Sequence, residues 1–274
     1  MPELPEVETI ARQLRERGVE GREILAVRID WPRMVEPLTP VAFTQAICGT
    51  KIKSVNRTGK WIHIELSSGQ HWMVHLRMAG SFSKRRSKFD RGEILLSGGM
   101  KLYFRDTRKF GRWKVVDDPQ EILGKLGPDA LSTSFTGAYF ESLLTTRKRA
   151  IKPLLLDQAL IAGIGNIYAD EALWESAIHP QRSSSSLKSQ ERKALFRAIR
   201  YVLRIGVQNR GTSLGKGQTN YRDMNGESGQ HRQRVKAYGR RGLPCERCNT
   251  PLIKIVVAQR GTTLCPTCQR FNSF

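Results

Sequence analysis

The pattern of apolar positions divides the chain into a strand-rich first half and a helix-rich second half. Residues 4–17 place apolar side chains at helical spacing, and Gly18 ends the predicted helix. From about residue 23 to residue 116, apolar residues alternate with polar ones or form short runs, which predicts strands at 24–29, 60–66, 72–76, 93–96 and 101–104. This half therefore predicts an antiparallel β-sandwich or barrel with a helix at its start.

Helical periodicity returns after Gly127 and Pro128. It predicts helices near residues 137–145, 149–160, 166–176 and 188–208. From Gly206 onward the composition changes again, and glycine, glutamine and basic residues lead into two pairs of cysteines. We therefore predict an α+β protein in three parts, namely a β-sandwich domain (1–127), a helical domain with a long loop (128–235) and a small cysteine-bearing module (236–274).

The charge balance narrows the class of partner. The 274 residues include 46 Lys+Arg and 25 Asp+Glu, a formal net charge of +21. Such a surplus indicates a polyanionic partner, first of all nucleic acid; an anionic membrane is the weaker alternative because no basic amphipathic helix is evident. The N-terminus lacks the apolar core of a signal peptide, and no apolar run reaches the roughly 18 residues of a membrane span. We expect a cytoplasmic, nucleoid-associated protein.

Four of the five cysteines have the spacing of a zinc ribbon. Two Cys-x2-Cys pairs are separated by sixteen residues, and their members are Cys245, Cys248, Cys265 and Cys268. Four thiolates leave no open coordination position, so we expect one structural zinc ion. Strands at 254–257 and 262–264 are predicted to form a hairpin whose turn, at Arg260 and Gly261, presents Arg260. Cys48 has no partner and is expected to be a small core residue.

The N-terminus offers a nucleophile. Pro2 is a small residue after which the initiator Met1 is normally removed, and removal leaves a secondary amine. An α-amino group has a pKa of roughly 8, so part of it is neutral near pH 7 and can attack an electrophilic carbon to form an iminium, or Schiff base. Glu3 and Glu6 lie beside it as a proton carrier and an orienting group. Considered alone, however, these residue types favour an ordinary capped helix start.

The segment from Pro2 to Thr9, Pro-Glu-Leu-Pro-Glu-Val-Glu-Thr, resembles the N-terminal signature of the bacterial formamidopyrimidine-DNA glycosylase family. Further motifs similar to those of the family follow in the family order. They are Lys60 after Gly59, His75-Leu-Arg-Met-Ala-Gly80, Asp106-Thr-Arg-Lys-Phe-Gly111, Gly163-Ile-Gly-Asn-Ile-Tyr168, Tyr238-Gly-Arg-Arg-Gly242 and Arg260 between the cysteine pairs.

The resemblance implies a bifunctional enzyme of base excision repair. The family removes oxidised purines, such as 8-oxoguanine and formamidopyrimidines, from duplex DNA and then cuts the strand as an AP lyase. By resemblance Pro2 forms a Schiff base at C1′ of the sugar, followed by β- and δ-elimination. Glu3 is then the proton donor that opens the sugar, and Glu6 a supporting carboxylate. Lys60 assists β-elimination, and Arg260 binds phosphate and serves δ-elimination.

The resemblance also implies a set of DNA contacts. A base inside the stack cannot be reached, so it is flipped out and the gap is filled. Met78, Arg108 and Phe110 match the family's void-filling residues, and Arg108 would face the orphaned cytosine. The implied fold is a helix–two-turn–helix domain with a lesion-capping loop and a zinc finger, bound to DNA as a monomer. Further DNA contacts are expected at His75, Arg91, Lys148, Lys152, Asn166, Tyr238 and the Gly163–Gly165 turn. His75 could equally be a satisfied structural histidine.

Two departures from the family pattern concern the choice of base. After Lys88 the family has His-x-His, whereas Phe89-Asp90-Arg91 stands here. Phe89 cannot donate to a phosphate, so that contact is lost or passes to Arg91 or Lys88. The 217–233 loop is expected to be longer than usual and carries His231 in place of an aromatic residue. Two rivals remain: the sister enzyme endonuclease VIII, which excises oxidised pyrimidines, and a zinc-containing DNA-binding protein without catalysis. Leu4 and the three void-filling residues favour the purine-excising enzyme, whereas a retained Met1 would favour binding alone.

Overall fold

A computed structural model describes residues 1–215 and 221–271. The chain forms two compact units. The first combines Met1–Lys125 with Gly206–Arg232, and the second combines Leu126–Ile205 with Gln233–Phe274. The described residues of 206–232, which the sequence groups with the helical domain, therefore pack with the β-rich unit instead. Among the described residues, every helix is too short or too polar to cross a membrane.

The first unit is built from strands and three helices. Its first sheet contains β1 (Ile24–Ile29), β5 (Ser81–Ser83), β6 (Asp90–Leu96) and β7 (Met100–Arg105), and its second contains β2 (Ile52–Thr58), β3 (Trp61–Leu66), β4 (His71–His75) and β8 (Arg112–Val116). The strand orders are β1-β6-β7-β5 and β2-β3-β4-β8, and all pairings are antiparallel. The helices are α1 (Leu4–Glu16), α2 (Pro40–Ile47) and α3 (Gln120–Leu123).

Aromatic side chains from both sheets form one core. Trp72 and Trp113 of the second sheet lie 4.9 Å apart, ring centroid to ring centroid, and the ring of Phe104 from the first sheet lies 5.1 Å from Trp113. Phe82 and Phe43 of α2 complete the cluster. Burial of large rings between two sheets is the packing of a β-sandwich, so the predicted fold class is confirmed.

Most predicted elements of this unit are found, and the misses have a common cause. Helix α1 spans Leu4–Glu16 and buries its predicted apolar face, while Gly18 adopts a φ of 68° just past its end. The strands β2, β5 and β8 and the helices α2 and α3 are not predicted from the pattern. Strands β5 and β8 and helix α3 are short, β2 has only two apolar residues among its seven, and α2 buries only Phe43 and Ile47, so each has a weak apolar period.

The second unit is mainly helical and contains the cysteine hairpin. Its helices are α4 (Gly137–Thr145), α5 (Ile151–Leu156), α6 (Asn166–Glu175) and most of α7 (Ser189–Gln208), and its hairpin is formed by β9 (Ile253–Val257) and β10 (Arg260–Leu264). Helix α5 is shorter than predicted because Asp157 takes an extended conformation. The hairpin turn lies at Ala258 and Gln259, both with positive φ, and not at Arg260 and Gly261 as predicted.

One glycine sets how closely a strand can approach the aromatic core. Gly92 lies in β6, and a Cβ added there would come within 2.5 Å of Cη2 of Trp113. The indole of Trp113 is fully buried, so it cannot move aside without disturbing its ring neighbours. The glycine is therefore required by packing and not by a turn.

We expect Gly92→Ala to lower the free energy of unfolding by about 1–3 kcal/mol, because the added methyl group overpacks the core. Urea denaturation followed by tryptophan fluorescence measures this change. The matched control is Gly137→Ala at the start of α4, where an added Cβ meets no atom within 4 Å; we expect a change of less than about 0.5 kcal/mol there. Equal stability of the two variants would show that the core accommodates the methyl group.

Candidate active site and nucleic-acid interface

The N-terminal residues lie at the start of α1 with their carboxylates buried. Pro2 is buried, whereas Met1 is 47% exposed. Glu6 Oε2 accepts a hydrogen bond from the amide of Glu3 at 2.8 Å, and Glu6 Oε1 accepts one from the amide of Thr212 at 2.6 Å. Glu6 thus joins Glu3, the residue after Pro2, to the segment 211–213, which lies far away in the sequence.

Gly211 makes this contact with Glu6 sterically feasible. Its φ is +80°, and an added Cβ would lie 2.7 Å from Cγ of Glu6. A side chain at this position would therefore be strained in backbone conformation and would also push the carboxylate away. Tyr221 is buried, and its burial beside the Glu6 carboxylate raises the pKa of its phenol well above the ordinary value of 10. The site around Glu6 therefore carries a neutral phenol.

Lys60 lies in the turn between β2 and β3, close to His75. It follows Gly59, whose φ is 59°, and only 7% of its surface is exposed. Trp61 pairs with His75 across the sheet, with ring centroids 4.8 Å apart. His75 Nδ1 accepts a hydrogen bond from the amide of Arg77 at 3.0 Å. Burial, together with the charges of Arg77 and Lys60, lowers the pKa of His75 to about 3.

His75 is therefore a neutral imidazole at physiological pH. A neutral ring with Nδ1 already occupied has only its Nε2 side for a phosphate contact, and that contact lacks a full positive charge. The surroundings of His75 thus fit a structural histidine, satisfied within the protein, better than a charged contact to phosphate.

Arg108 and Phe110 lie in one loop that Asp106 organises. Asp106 is buried; its Oδ1 accepts from the amide of Arg108 at 3.0 Å, and its Oδ2 accepts from the amide of Gly111 at 2.7 Å. Lys109, at the loop tip, has a φ of 59°. The guanidinium of Arg108 lies 5.0 Å from the ring centroid of Phe110, which is 46% exposed. The predicted cation and apolar wedge therefore stand together on the surface.

Met78 lies in a second loop, and both loops rest on the ring of Phe104. A Cβ added at Gly80 would lie 2.8 Å from Cζ of Phe104, and one added at Gly111 would lie 2.7 Å from Cε1 of the same ring. The two motif glycines thus let the two loops approach one core side chain. Arg77, beside Met78, has a φ of 53°, so each loop carries a residue in the left-handed region next to its wedge.

The departure at Phe89 has a visible consequence. The Nζ of Lys88 and the guanidinium carbon of Arg105 each lie 5.4 Å from the centroid of the Phe89 ring. The guanidinium of Arg91 donates to the carbonyl of Asp90 at 3.0 Å. Phe89 therefore gathers cations around an aromatic ring, where a histidine would offer a single donor. The 217–233 loop is the second departure from the family pattern. Its residues 217–220 lie outside the described residues, and its His231 is buried.

In the second unit, a buried ion pair joins α5, α6 and the hairpin. Lys152 Nζ donates to Asp170 Oδ1 at 2.5 Å, to Thr262 Oγ1 at 2.8 Å and to the carbonyl of Gly261 at 3.2 Å. Asp170 Oδ2 accepts from the amide of Thr263 at 2.9 Å. Burial raises the pKa of Asp170, and the ammonium of Lys152 opposes that rise.

The prediction that Lys152 contacts DNA is wrong for this structure, because the side chain is fully buried and its three donors are occupied within the protein. Its position fixes the strand that begins at Arg260. Lys148 and Arg260, in contrast, are exposed. Asn166 begins α6, and its Nδ2 donates to the carbonyl of Gly261 at 3.0 Å. The amide of Gly163 is occupied by Oε1 of Gln158, so it is not available to a phosphate.

Tyr238 is positioned by an acid that the sequence does not single out. The buried carboxylate of Glu171 accepts from the amides of Lys236, Ala237 and Tyr238 at 2.7–2.9 Å. Burial raises the pKa of Glu171, and these three amides oppose the rise. Glu171 follows Asp170 directly on α6, so two consecutive buried acids hold the hairpin and the segment before it.

The four cysteines form a site that fits a zinc ion. Their sulfur atoms all lie within 4.8 Å of one another, and those of Cys248 and Cys265 are 3.5 Å apart. Tetrahedral coordination at about 2.3 Å requires sulfur atoms roughly 3.8 Å apart, close to this arrangement. Trp174, Ala237 and Leu252 pack around the buried Cys245 and Cys265. The arrangement supports one structural zinc ion, as predicted, and leaves no position for a reactive water.

The two-sheet unit, whose first helix begins after Pro2 and Glu3, and the helical unit, whose hairpin module carries four clustered cysteines, have the architecture of a DNA glycosylase. The chain belongs to the formamidopyrimidine-DNA glycosylase family. Residues 1–113 match the formamidopyrimidine-DNA glycosylase N-terminal domain, residues 126–217 the formamidopyrimidine-DNA glycosylase H2TH domain and residues 242–270 a zinc finger found in FPG and IleRS.

Named relatives match over their full length. The formamidopyrimidine-DNA glycosylase of Protochlamydia amoebophila is 43% identical over 98% of this chain and 100% of its own. The crystal structure of the MutM (Fpg) protein of Thermus thermophilus has a TM-score of 0.90 and 40% identity, covering 99% of this chain and 100% of its own. A Lactococcus lactis Fpg mutant in complex with Fapy-dG-containing DNA has a TM-score of 0.90 and 32% identity, covering 98% and 100%.

The lowered pKa of His75 predicts a specific loss of stability in acid. An unfolded histidine protonates near 6.5 and the folded one at about 3, so the unfolded state binds the extra proton first as the pH falls below 6.5. We expect the wild-type protein to lose about 2 kcal/mol more stability than His75→Gln between pH 6.5 and pH 5. Urea denaturation at several pH values measures the difference. Parallel curves for the two proteins would show that His75 titrates normally.

Substitution of one predicted zinc ligand should lower the zinc content of the protein, whereas the same substitution at a cysteine outside the site should not. Cys245→Ser should weaken zinc binding by at least about 100-fold and should loosen the hairpin, because the metal replaces a core that this small module lacks. Metal analysis and hydrogen exchange over β9 and β10 measure both effects. The control Cys48→Ser lies outside the site and should keep one zinc ion per chain. A full zinc content in Cys245→Ser would contradict the assignment.

Proposed function

We propose that this chain removes oxidised purines, 8-oxoguanine and formamidopyrimidines, from duplex DNA opposite cytosine and then cleaves the strand as an AP lyase. The observation that carries the proposal is the N-terminal site, in which Pro2 precedes two buried carboxylates that are fixed by main-chain hydrogen bonds. The Lactococcus lactis relative binds Fapy-dG-containing DNA, which supports the choice of lesion. The chain acts as a monomer in the cytoplasm, where its net charge of +21 favours association with the nucleoid.

Catalysis begins at the amine of Pro2 after Met1 has been removed. The amine lone pair forms a bond to C1′ while the bond from C1′ to the damaged base breaks, and the proton that the Pro2 nitrogen loses passes to the departing base. Glu3 donates a proton to the ring oxygen of the sugar, which opens the ring and leaves an iminium between Pro2 and C1′. Glu3 directly follows Pro2 in the chain and is only 2% exposed, so its carboxyl group is shielded from bulk water.

Strand cleavage follows from the same iminium. The iminium acidifies the neighbouring C2′ hydrogens, so loss of one proton expels the 3′ phosphate, and a second elimination expels the 5′ phosphate. Lys60 assists the first elimination, and the exposed Arg260 binds phosphate and serves the second. Hydrolysis of the iminium then releases Pro2. Glu6 is a positioning residue in this scheme, since its two oxygens are occupied by the amides of Glu3 and Thr212.

The wedge residues fill the gap that the flipped base leaves. The exposed ring of Phe110 and the side chain of Met78 are apolar groups that can enter the stack. Arg108, beside Phe110, offers planar donors that suit the acceptor edge of an orphaned cytosine. Further side chains would contact phosphates, which position the duplex without reading its sequence. They are Asn166, Tyr238, Lys148 and Arg91.

Borohydride trapping tests the proposal. We expect a covalent adduct on a duplex with 8-oxoguanine opposite cytosine and on an abasic duplex, with at least about tenfold less adduct on a thymine-glycol duplex. The matched control is the same chain with an uncleaved N-terminal extension, which blocks the amine of Pro2. It should still bind DNA but should trap at least about 100-fold less, because an amide nitrogen is not nucleophilic.

Each alternative has its own result in this experiment. Preferential trapping on thymine glycol would replace the proposal with the pyrimidine-excising sister enzyme. Trapping on abasic DNA alone would retain the lyase and overturn the choice of base, with Phe89 and the 217–233 loop as the first positions to exchange. No adduct on any duplex, with DNA binding intact, would leave a DNA-binding protein without catalysis.

A further inference from the structure

The second unit has a cavity of about 470 Å³ that none of the predicted catalytic or DNA-contacting residues lines. It lies between the beginning of α4 and the first half of α7. Gly137 and Ala138 form one wall, and Phe140 and Phe196 form the apolar part of the lining. A volume of this size accommodates one aromatic side chain together with the peptide backbone that carries it.

The apolar lining belongs to a fixed aromatic cluster. The rings of Phe135, Phe140 and Phe196 lie 5.2–6.0 Å apart, centroid to centroid. Phe140 is buried and Phe196 is half-buried, so the Phe196 ring is the part of the cluster that faces the cavity. Arg200 lies over the same ring, 5.8 Å from its centroid. Such a lining is pre-formed, which lowers the entropy cost of binding an apolar group.

Cations surround this apolar lining. Arg192, Lys193 and Arg197 line the cavity, against the single carboxylate of Glu141. Glu141 pairs with Arg192 at 3.1 Å. The side chains of Lys193 and Arg197 form no ion pair or hydrogen bond with the residues that the structure describes. The start of α4 adds the positive end of a helix dipole on the same side.

We propose that this cavity docks an acidic peptide segment of a partner protein, with one aromatic side chain of the peptide on Phe196 and its carboxylates on Lys193 and Arg197. Charge complementarity selects an acidic occupant, and the concave apolar lining selects a side chain over a phosphate backbone. A DNA strand would bring phosphates towards Glu141, whose carboxylate also faces the cavity. The surface would let a partner recruit the enzyme without using any residue of the DNA-repair chemistry.

Fluorescence anisotropy tests the proposal with a labelled synthetic peptide of four aspartates followed by glycine and phenylalanine. We expect saturable binding to the full-length protein. Arg197→Glu should weaken binding by about tenfold, since one charge-assisted contact is lost and one repulsion is added. The matched control is Arg204→Glu, an exposed arginine on the same helix outside the cavity, which should change binding by less than about twofold.

Two further probes decide between the cavity and general charge attraction. A peptide with serine in place of phenylalanine should bind at least about tenfold more weakly, because it leaves the apolar lining empty. Equal binding of both peptides, equal effects of the two arginine variants or no binding at all would overturn the proposal. If Arg197→Glu weakens binding to an undamaged duplex as strongly as binding to the peptide, the surface is a nucleic-acid contact instead. Borohydride trapping by Arg197→Glu should stay at the wild-type level, so the outcome is independent of the glycosylase assignment.

Discussion

The buried carboxylate of Glu6 is the contact on which the arrangement of the N-terminal site depends. It joins the first turn of α1 to a segment more than 200 residues later in the chain, through the amides of Glu3 and Thr212. Both bonds have a carboxylate acceptor in a desolvated place, where a hydrogen bond is electrostatically stronger than in water. An amide side chain here would replace one acceptor oxygen with a donor, which would face a main-chain N–H. The position therefore requires a carboxylate for geometry before any proton transfer is considered.

Buried carboxylates also hold three other segments of the chain through main-chain hydrogen bonds. Asp106 closes the loop of Arg108, Asp170 accepts from the strand after Arg260, and Glu171 accepts from the amides at Tyr238. These acids are all buried. The chain has only 25 acidic residues against 46 basic ones, and it places several of them inside as acceptors for the main chain. Lys148 and Arg260, in contrast, are exposed.

Sequence patterns predict those elements of this molecule that depend on residues close together in the chain. Helix α1 has an apolar stripe and a terminal glycine, and the two Cys-x2-Cys pairs define a metal site by spacing alone. Lys152 is a residue whose burial such local patterns do not predict. In the sequence it is one more cation in a basic segment, and its burial is decided by Asp170, 18 positions away, and Thr262, 110 positions away. The prediction for the hairpin turn fails for a related reason, because Ala258 and Gln259 adopt positive φ values that their residue types do not favour.

Phe104 links the core of the sandwich to the loops that carry Met78 and Phe110, the two residues proposed as wedges. Its ring packs on Trp113 within the core, and the same ring sets the closest approach of the loops at Gly80 and Gly111. The separation of Met78 from Phe110 is therefore fixed by a buried side chain and not by either loop alone. Because a close-packed core transmits small displacements, a change at Phe104 would move both wedges together. The spacing of the wedges thus depends on a residue that looks purely structural, and the two motif glycines are what allow both loops to reach it.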